Sequence, residues 1–151
     1  MIRDAACRDL EQVCDIEKAS FPKPWSRESF LAEIERERGI FKVLEIEGRV
    51  AGYFVIWTVL DEAELANIAV SPEHRGRGLG KLLLANAVAS AKDAKEVFLE
   101  VAVENRPAIL LYESYGFKKV GLIRSYYGQG KDANIMKFSI EEEVNDVENR
   151  L

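Results

Sequence analysis

The sequence predicts a mixed α/β (α+β) domain, with one central sheet of about seven strands and about four helices. Three observations carry this reading. Alternating or wholly apolar segments are interleaved with segments whose apolar residues recur every three to four positions, in the order β-α-α-β-β-β-α-β-α-β-β. Three of the strands follow one another through short connections, as in an antiparallel meander, before strands and helices begin to alternate. Finally, 151 residues at 48% hydrophobic and 31% charged describe one globular domain, a size that buries roughly 68–70% of its unfolded surface.

Ile2 to Ala5 is a short strand. Residues 8–20 place Leu10, Val13, Cys14 and Ile16 on one helical stripe. Phe21-Pro-Lys-Pro-Trp25 breaks that helix, and Ser26 with Glu28 and Ser29 opens a second one reaching about Glu37. Phe41 to Glu47 largely alternates, and Glu47-Gly48-Arg49 turns the chain tightly. Val50 to Leu60 is an almost wholly apolar strand, and Glu64 to Val70 completes the meander before Ser71-Pro72. Leu79, Leu82, Leu83 and Ala87 stripe a helix running to about Lys92. Glu96 to Val103 is a strand, and Asn105 to Tyr115 is a helix closed by Gly116. Phe117–Tyr127 and Asp132–Phe138 are the last two strands.

Several classes are excluded. The longest uncharged apolar run, Val50 to Leu60, has eleven residues, against the roughly 20 a membrane helix needs, so no membrane association is expected. Met1-Ile2-Arg3-Asp4 turns charged at once, which is unlike a signal peptide. Cys7 and Cys14, seven apart near one helix face, read as buried thiols of a reducing, cytoplasmic protein. Residues 141–151 hold five acids and one base, so most of the net charge of −5 sits there, as a solvated tail. That acidic balance argues against nucleic acid as a direct partner. No Cys/His cluster has metal-ligand spacing, so no metal is expected.

The chemistry concentrates in Arg75-Gly76-Arg77-Gly78-Leu79-Gly80-Lys81, which joins a strand to a helix. Glycines at three of five positions allow close backbone approach and can point successive N–H groups into one concavity. The helix start adds its positive end. The eight residues from His74 hold three cations and no acid, a local reversal on an acidic chain. The bland alternative is a glycine turn with exposed cations. A P-loop would need Ser or Thr after Lys81, where Leu82 stands. Gly76, Gly78 and Gly80 are too tightly spaced for a dinucleotide fingerprint, although Glu100 lies at the distance such a fold would require of its acid.

Arg75-Gly76-Arg77-Gly78-Leu79-Gly80 resembles the pyrophosphate loop of the GNAT superfamily of N-acetyltransferases. Four further stretches resemble its RimI branch, the ribosomal-protein N-terminal alanine acetyltransferases. They are Asp61-Glu-Ala-Glu-Leu-Ala-Asn-Ile-Ala-Val70, Leu99-Glu-Val-Ala-Val-Glu-Asn105, Ala108-Ile-Leu-Leu-Tyr-Glu-Ser-Tyr-Gly-Phe117 and Ile123-Arg-Ser-Tyr-Tyr127. The resemblance covers about residues 1–140 and implies a single GNAT-type domain there, followed by the acidic C-terminal tail 141–151. It also implies acetyl-CoA as cosubstrate. The implied acceptor is the N-terminal amine of a protein, probed first as an alanine of a ribosomal protein, attacking directly in a ternary complex.

Such a transfer needs the amine deprotonated, the oxyanion held and the departing thiolate protonated. Glu100 interrupts the apolar runs Val97-Phe98-Leu99 and Val101-Ala102-Val103. By pattern it is either a solvent-facing strand residue or a carboxylate whose pKa is raised by partial burial; the resemblance assigns it as general base. Asn105 is a good N-cap with Pro107 in the first turn, and Tyr112 projects from nearly the same face seven residues on. By pattern Tyr112 is a core residue; the resemblance makes it the general acid and Asn105 a cofactor contact. The resemblance further assigns the pyrophosphate to Arg75, Gly76, Arg77, Gly78, Leu79, Gly80 and Lys81. It assigns the acetyl and oxyanion contacts to the backbone of Ile68, Ala69 and Val70. His74 reads as an exposed loop residue; Asp61, Glu62 and Glu64 could help deprotonate or attract an amine, but read better as solvated acids of a loop.

An α-amino group has pKa near 8 and a lysine near 10.4, so a modest carboxylate base suits a protein N-terminus better. Phe21-Pro-Lys-Pro-Trp25 and Tyr126-Tyr127 match regions flanking the peptide groove in the family; read by themselves they are equally loop aromatics anchored to the core. Two departures stand out. RimI-like sequences carry Arg where this chain has Ala102, and Tyr127-Gly-Gln-Gly-Lys-Asp-Ala133 is shorter than their loop and closer to that of broader N-terminal acetyltransferases. Acetylation of lysine or a small amine, and a non-catalytic acyl-CoA-binding module, are the alternatives.

Overall fold

In chain order the elements are β1 (Ile2–Asp4), α1 (Leu10–Ser20), α2 (Arg27–Glu35), β2 (Gly39–Ile46), β3 (Arg49–Val59), β4 (Glu62–Val70), α3 (Leu79–Ser90), β5 (Glu96–Ala102), α4 (Arg106–Tyr115), β6 (Lys118–Ile123) and β7 (Ala133–Ser139). They come from a computed structural model that describes residues 1–140; the acidic tail at 141–151 lies outside the described residues. This is the expected alternation of four helices with a seven-stranded mixed sheet, ordered β1-β2-β3-β4-β5-β7-β6. The chain divides into two compact units, one of Met1–Trp57 with Leu65–Ala91 and one of Thr58–Glu64 with the described residues from Lys92 on.

In the first unit, β1 and β3 flank β2 in antiparallel register, with Ile2 opposite Leu44 and Phe41 opposite Val55. Glu47 and Gly48 take φ of 52° and 78°, the two left-handed residues that a tight hairpin turn of matching twist requires. Leu10, Val13 and Ile16 of α1 and Phe30 of α2 are buried with Phe41, Val43, Tyr53 and Val55 of the sheet. Trp25 joins this core rather than standing free: it stacks on Trp57 at 6.3 Å and packs on Phe30 at 5.3 Å. Glu17, 1% exposed, is a carboxylate buried with full satisfaction. It accepts from the Tyr53 hydroxyl, from Asn67 Nδ2 at 2.9 Å and from the Trp25 backbone N–H at 2.9 Å. Those bonds offset the desolvation of its charge and tie the 21–25 loop to β3 and β4. At the sheet margin the Arg3 guanidinium grips Asp9 at 2.8 Å and Glu45 at 2.9 Å, and holds the Asp9 carboxyl below the usual carboxylate range.

Gly52 explains how α3 and the end of β4 lie so close to β3. A Cβ there would come within 2.8 Å of Leu83 Cδ1 and 2.9 Å of the Ala69 carbonyl oxygen, and backbone cannot yield as a side chain can. Gly52→Ala is therefore expected to cost about 1–3 kcal/mol by overpacking, lowering the Tm by roughly 3–10 °C in a thermal unfolding scan.

In the second unit, the start of β4 runs parallel to β5, with Glu62 opposite Glu96 and Glu64 opposite Phe98. β7 lies antiparallel to both β5 and β6. Val97, Leu99 and Val101 of β5 are buried, as are Ile109 and Tyr112 of α4 and Phe117, Met136 and Phe138. Phe117 and Phe138 meet at 5.5 Å. Gly116, at φ 123°, ends α4 where a Cβ would press on the Phe138 ring at 3.0 Å.

Three expectations are corrected. The penultimate strand stops at Ile123, not Tyr127, because Asp132 Oδ1 accepts the Ser125 N–H at 2.8 Å and Ser125 adopts φ 56°. The backbone of 124–131 then closes on itself through Gly128 to Ser125 and Tyr127 to Lys131 bonds. Cys7 is exposed, since α1 begins at Leu10 and Cys7 sits on the 3-10 turn before it; Cys14 is half-buried, and both thiols are free. Glu62 is the first residue of β4 rather than a loop residue, so the strand starts two residues before the expected Glu64.

Candidate active site

In the first unit the glycine-rich segment is held open by its neighbours. β4 ends at Val70, and Ser71 anchors the exit by donating its N–H to the Ala51 carbonyl at 2.8 Å. His74 is half-buried rather than exposed, because its Nδ1 lies 2.7 Å from Ser71 Oγ within a single 3-10 turn, Pro72–His74. Arg75 stays exposed but lies back along the surface: Nε donates to the Val70 carbonyl at 3.1 Å and Nη2 to Ser20 Oγ at 3.0 Å. Part of its guanidinium thus fastens the loop to the ends of β4 and α1.

Gly76 and Gly78 follow at φ 79° and 78°, with open space where a Cβ would stand. Their glycine requirement is therefore conformational, not steric crowding. Gly78 caps α3 without any side-chain acceptor, and the first bond of the helix runs from the Leu82 N–H to the Gly78 carbonyl at 3.2 Å. The N–H groups of Leu79, Gly80 and Lys81 consequently have no acceptor within the helix. Arg77 and Lys81 are exposed beside them. Backbone donors, a helix N-terminus and two exposed cations are the chemistry that fits a pyrophosphate. Ile68, Ala69 and Val70 lie in the same unit, on the last residues of β4. The loop follows the fourth strand of a mixed sheet, which removes the dinucleotide-binding alternative.

In the second unit, strand alternation sets Glu62 and Glu64 of β4 and Glu96, Phe98 and Glu100 of β5 apart from the buried Ala63, Val97 and Leu99. Glu64 stands opposite Phe98, so Glu100 is the next residue along that face of β5. The two carboxyls are hydrogen-bonded to one another. Partial burial, reinforced by the Glu64 charge and that bond, pushes the Glu100 carboxyl up to about 7. Tyr126 and Tyr127, on the closed loop between β6 and β7, feel the same negative charge. Burial raises both, to about 12 for Tyr127, and the proximity of Glu100 adds to it. Tyr126 packs edge-on against Tyr127 at 4.8 Å and is 50% exposed. Tyr112 is buried on α4 within reach of Tyr127's field, and burial carries its phenol well above the ordinary value. Asn105 caps α4, its Oδ1 accepting the Ala108 N–H at 3.3 Å, which leaves the amide NH2 as a donor.

Glu100 and Tyr112 therefore occur in one unit as two members of a set of carboxyls and phenols. The loop residues Arg75 to Lys81 occur together with Ile68–Val70 in the other. Sequence reading weighed Glu64 as an acid that could help deprotonate or attract an amine but preferred a solvated loop, and it placed Tyr127 by resemblance beside the peptide groove without linking either to Glu100. The usable signal for Glu64 was its even spacing from Glu62 and from Ile68, which puts it on one strand face. Among the described residues no group of three or more His, Cys, Asp or Glu could hold a metal ion, and no helix is long and apolar enough to cross a membrane.

Comparison with known proteins agrees with this chemistry. The model of the acetyltransferase (GNAT) family matches residues 10–117. A Bacillus subtilis protein provisionally named a ribosomal protein bS18-alanine N-acetyltransferase is 41% identical over 145 residues, covering 93% of this chain and 96% of that one. An N-alpha-acetyltransferase of Sulfurisphaera tokodaii is 33% identical over 150 residues, covering 89% of this chain and 90% of the relative. The crystal structure of the ribosomal-protein-S18-alanine N-acetyltransferase from Escherichia coli superposes with a TM-score of 0.84 at 34% identity, covering 93% of each chain.

Proposed function

The chain belongs to the GNAT acetyltransferase family, and we propose that it transfers acetyl from acetyl-CoA to the N-terminal α-amine of a protein, with the alanine terminus of a ribosomal protein as the first acceptor to test. Names carried by the relatives support that acceptor. The observation that carries the reading is Glu100, whose carboxyl is held at about 7. That is one unit below an α-ammonium and more than three below a lysine, so Glu100 can take a proton from the first far more readily than from the second.

Residue by residue, acetyl-CoA enters as a substrate that supplies the activated acetyl group. The N–H groups of Leu79, Gly80 and Lys81, with Arg77 and the Lys81 ammonium, hold its pyrophosphate, while Gly76 and Gly78 give the loop its curvature. Arg75 keeps that loop in place through Val70 and Ser20. Backbone at Ile68, Ala69 and Val70 receives the thioester, and the Asn105 amide contacts the coenzyme. Glu100 takes the acceptor's proton, and Tyr112, a phenol that burial keeps protonated, supplies one to the departing sulfur. The reaction is cytoplasmic and uses no metal.

Release of coenzyme A thiol, followed continuously on mixing the protein with acetyl-CoA and an Ala-initiated peptide, tests this. Saturable release that depends on the peptide is expected, whereas release at the same rate without peptide counts against it. Gly78→Ala isolates the loop. A left-handed Ala costs about 1–2 kcal/mol, so the KM for acetyl-CoA is expected to rise about tenfold with kcat nearly unchanged, measured by initial rates at saturating peptide.

A further inference from the structure

We propose that Glu64 and Glu100 act as one proton-sharing pair, with Glu64 as the positioning carboxylate that fits Glu100 to receive the proton of an α-ammonium. The inference rests on the acetyl-transfer reading above and goes beyond it, by giving a role to a second carboxylate.

Geometry supplies the argument. Glu64 and Glu100 stand on the same face of adjacent parallel strands, and their carboxyls are hydrogen-bonded. Two carboxyl groups so placed share a proton, because one must be protonated to donate to the other and both ionised would repel at short range. The groups facing the pair do not neutralise it. β4 contributes Glu62 and β5 contributes Glu96. Lys137 of β7 lies 3.8 Å from Glu96 and is engaged there. The β6–β7 loop contributes Tyr126 and Tyr127, phenols that burial keeps uncharged in the neutral range, and Tyr112 of α4 lies behind Tyr127 in the same state. On this face Lys137, and Lys118 opposite it on β6, are the cations, two and more residues along the strands from Glu100, whose own partner on β7 is Ile135.

The step balances without any further reactant. An N–H bond of the acceptor ammonium breaks, its electron pair stays on nitrogen as the nucleophile, and the proton forms an O–H bond that the pair shares. The charge on the pair falls from −2 to −1 as the amine becomes neutral. An isolated carboxyl at 4.5 would hold that proton about three-thousand-fold less well than an α-ammonium of pKa near 8, whereas one at about 7 holds it only about tenfold less well. Against lysine, near 10.4, the deficit stays above about two-thousand-fold; the roughly 250-fold gap between the two acceptors comes from their own pKa values, and the pair brings the α-amine within reach.

The test is a carbon-13 NMR titration of the side-chain carboxyls in the full chain and in the isosteric Glu64→Gln variant, with pH–rate profiles on the same Ala-initiated peptide. In the wild type, two coupled steps with the upper one near 7 are expected. In Glu64→Gln, one step displaced downward by at least one unit is expected, with the acid limb of kcat/KM moving by the same amount and the plateau kcat falling about tenfold. An ordinary single carboxylate step for Glu100 in the wild type, or an upper step unmoved in Glu64→Gln, would overturn the pair. Coupled steps in a protein that does not acetylate the peptide would support the pair and count against the acetyl-transfer reading, so the two failures are distinguishable.

Discussion

Glu100→Gln is expected to lower kcat/KM for an Ala-initiated peptide by about 10²- to 10⁴-fold, the usual contribution of a positioned general base. Glutamine keeps the volume and hydrogen-bonding reach of the side chain but cannot accept the proton, so the KM for acetyl-CoA should hold while kcat collapses. Steady-state kinetics at pH 8, above the value of about 7 at which the wild-type carboxyl ionises, is the clean comparison. The loss should also shrink as pH falls, because below about 7 the wild type is itself increasingly protonated. Stability changes in the opposite direction. The folded-state pKa of Glu100 is raised above its ordinary 4.5, so what the protonated group contributes to folding is complete below that value and is lost as pH rises through about 7. At pH 8 the Gln variant, which never ionises, is therefore expected to melt no lower than wild type, and a loss of activity there is not a loss of fold.

Tyr112→Phe is expected to reduce kcat by about a hundredfold, at the lower end of what a general acid contributes. The ring is 7% exposed and packs against Phe117 at 5.9 Å, contacts that phenylalanine retains. Only the hydroxyl is removed. Burial raises the Tyr112 phenol well above its ordinary range, so the proton stays available through the alkaline arm, and the wild-type kcat profile should show no loss of a Tyr112 proton below pH 10. If Tyr112 is solely a core residue, Phe at this position will leave kcat intact and change the melting temperature instead.

Much of this architecture could be read from the chain because its signals are local. The turn at Glu47-Gly48, the Ser26 cap, the Asn105-x-Pro107 helix start and the Gly76–Gly80 loop each declare themselves within a few residues, and all occupy the expected places. What escaped depends on partners distant in sequence. The β6 strand ends at Ile123 because Asp132, nine residues on, captures the Ser125 N–H, and no propensity at 124–127 announces that bond. Gly52 reads as an ordinary residue of an apolar strand until Leu83 and the Ala69 carbonyl are placed against it. Glu64 reads as a solvated acid at a strand's start until the parallel β4–β5 register sets it near Glu100, and register is a property of pairing rather than of either strand alone. In the same way, periodicity left Glu100 poised between a solvated carboxylate and a perturbed one; its burial in the fold, reinforced by Glu64 across the sheet, decides between them.

The most direct measurement locates the acetyl group. Two peptides that begin with Ala and carry an internal Lys, one with a free and one with a blocked N-terminus, are incubated with the protein and acetyl-CoA and sequenced by tandem mass spectrometry. The expected result is a single acetyl group on the α-nitrogen of the free peptide and none on the blocked one. Acetyl on the lysine of the blocked peptide, at a rate comparable to the free one, would contradict the account.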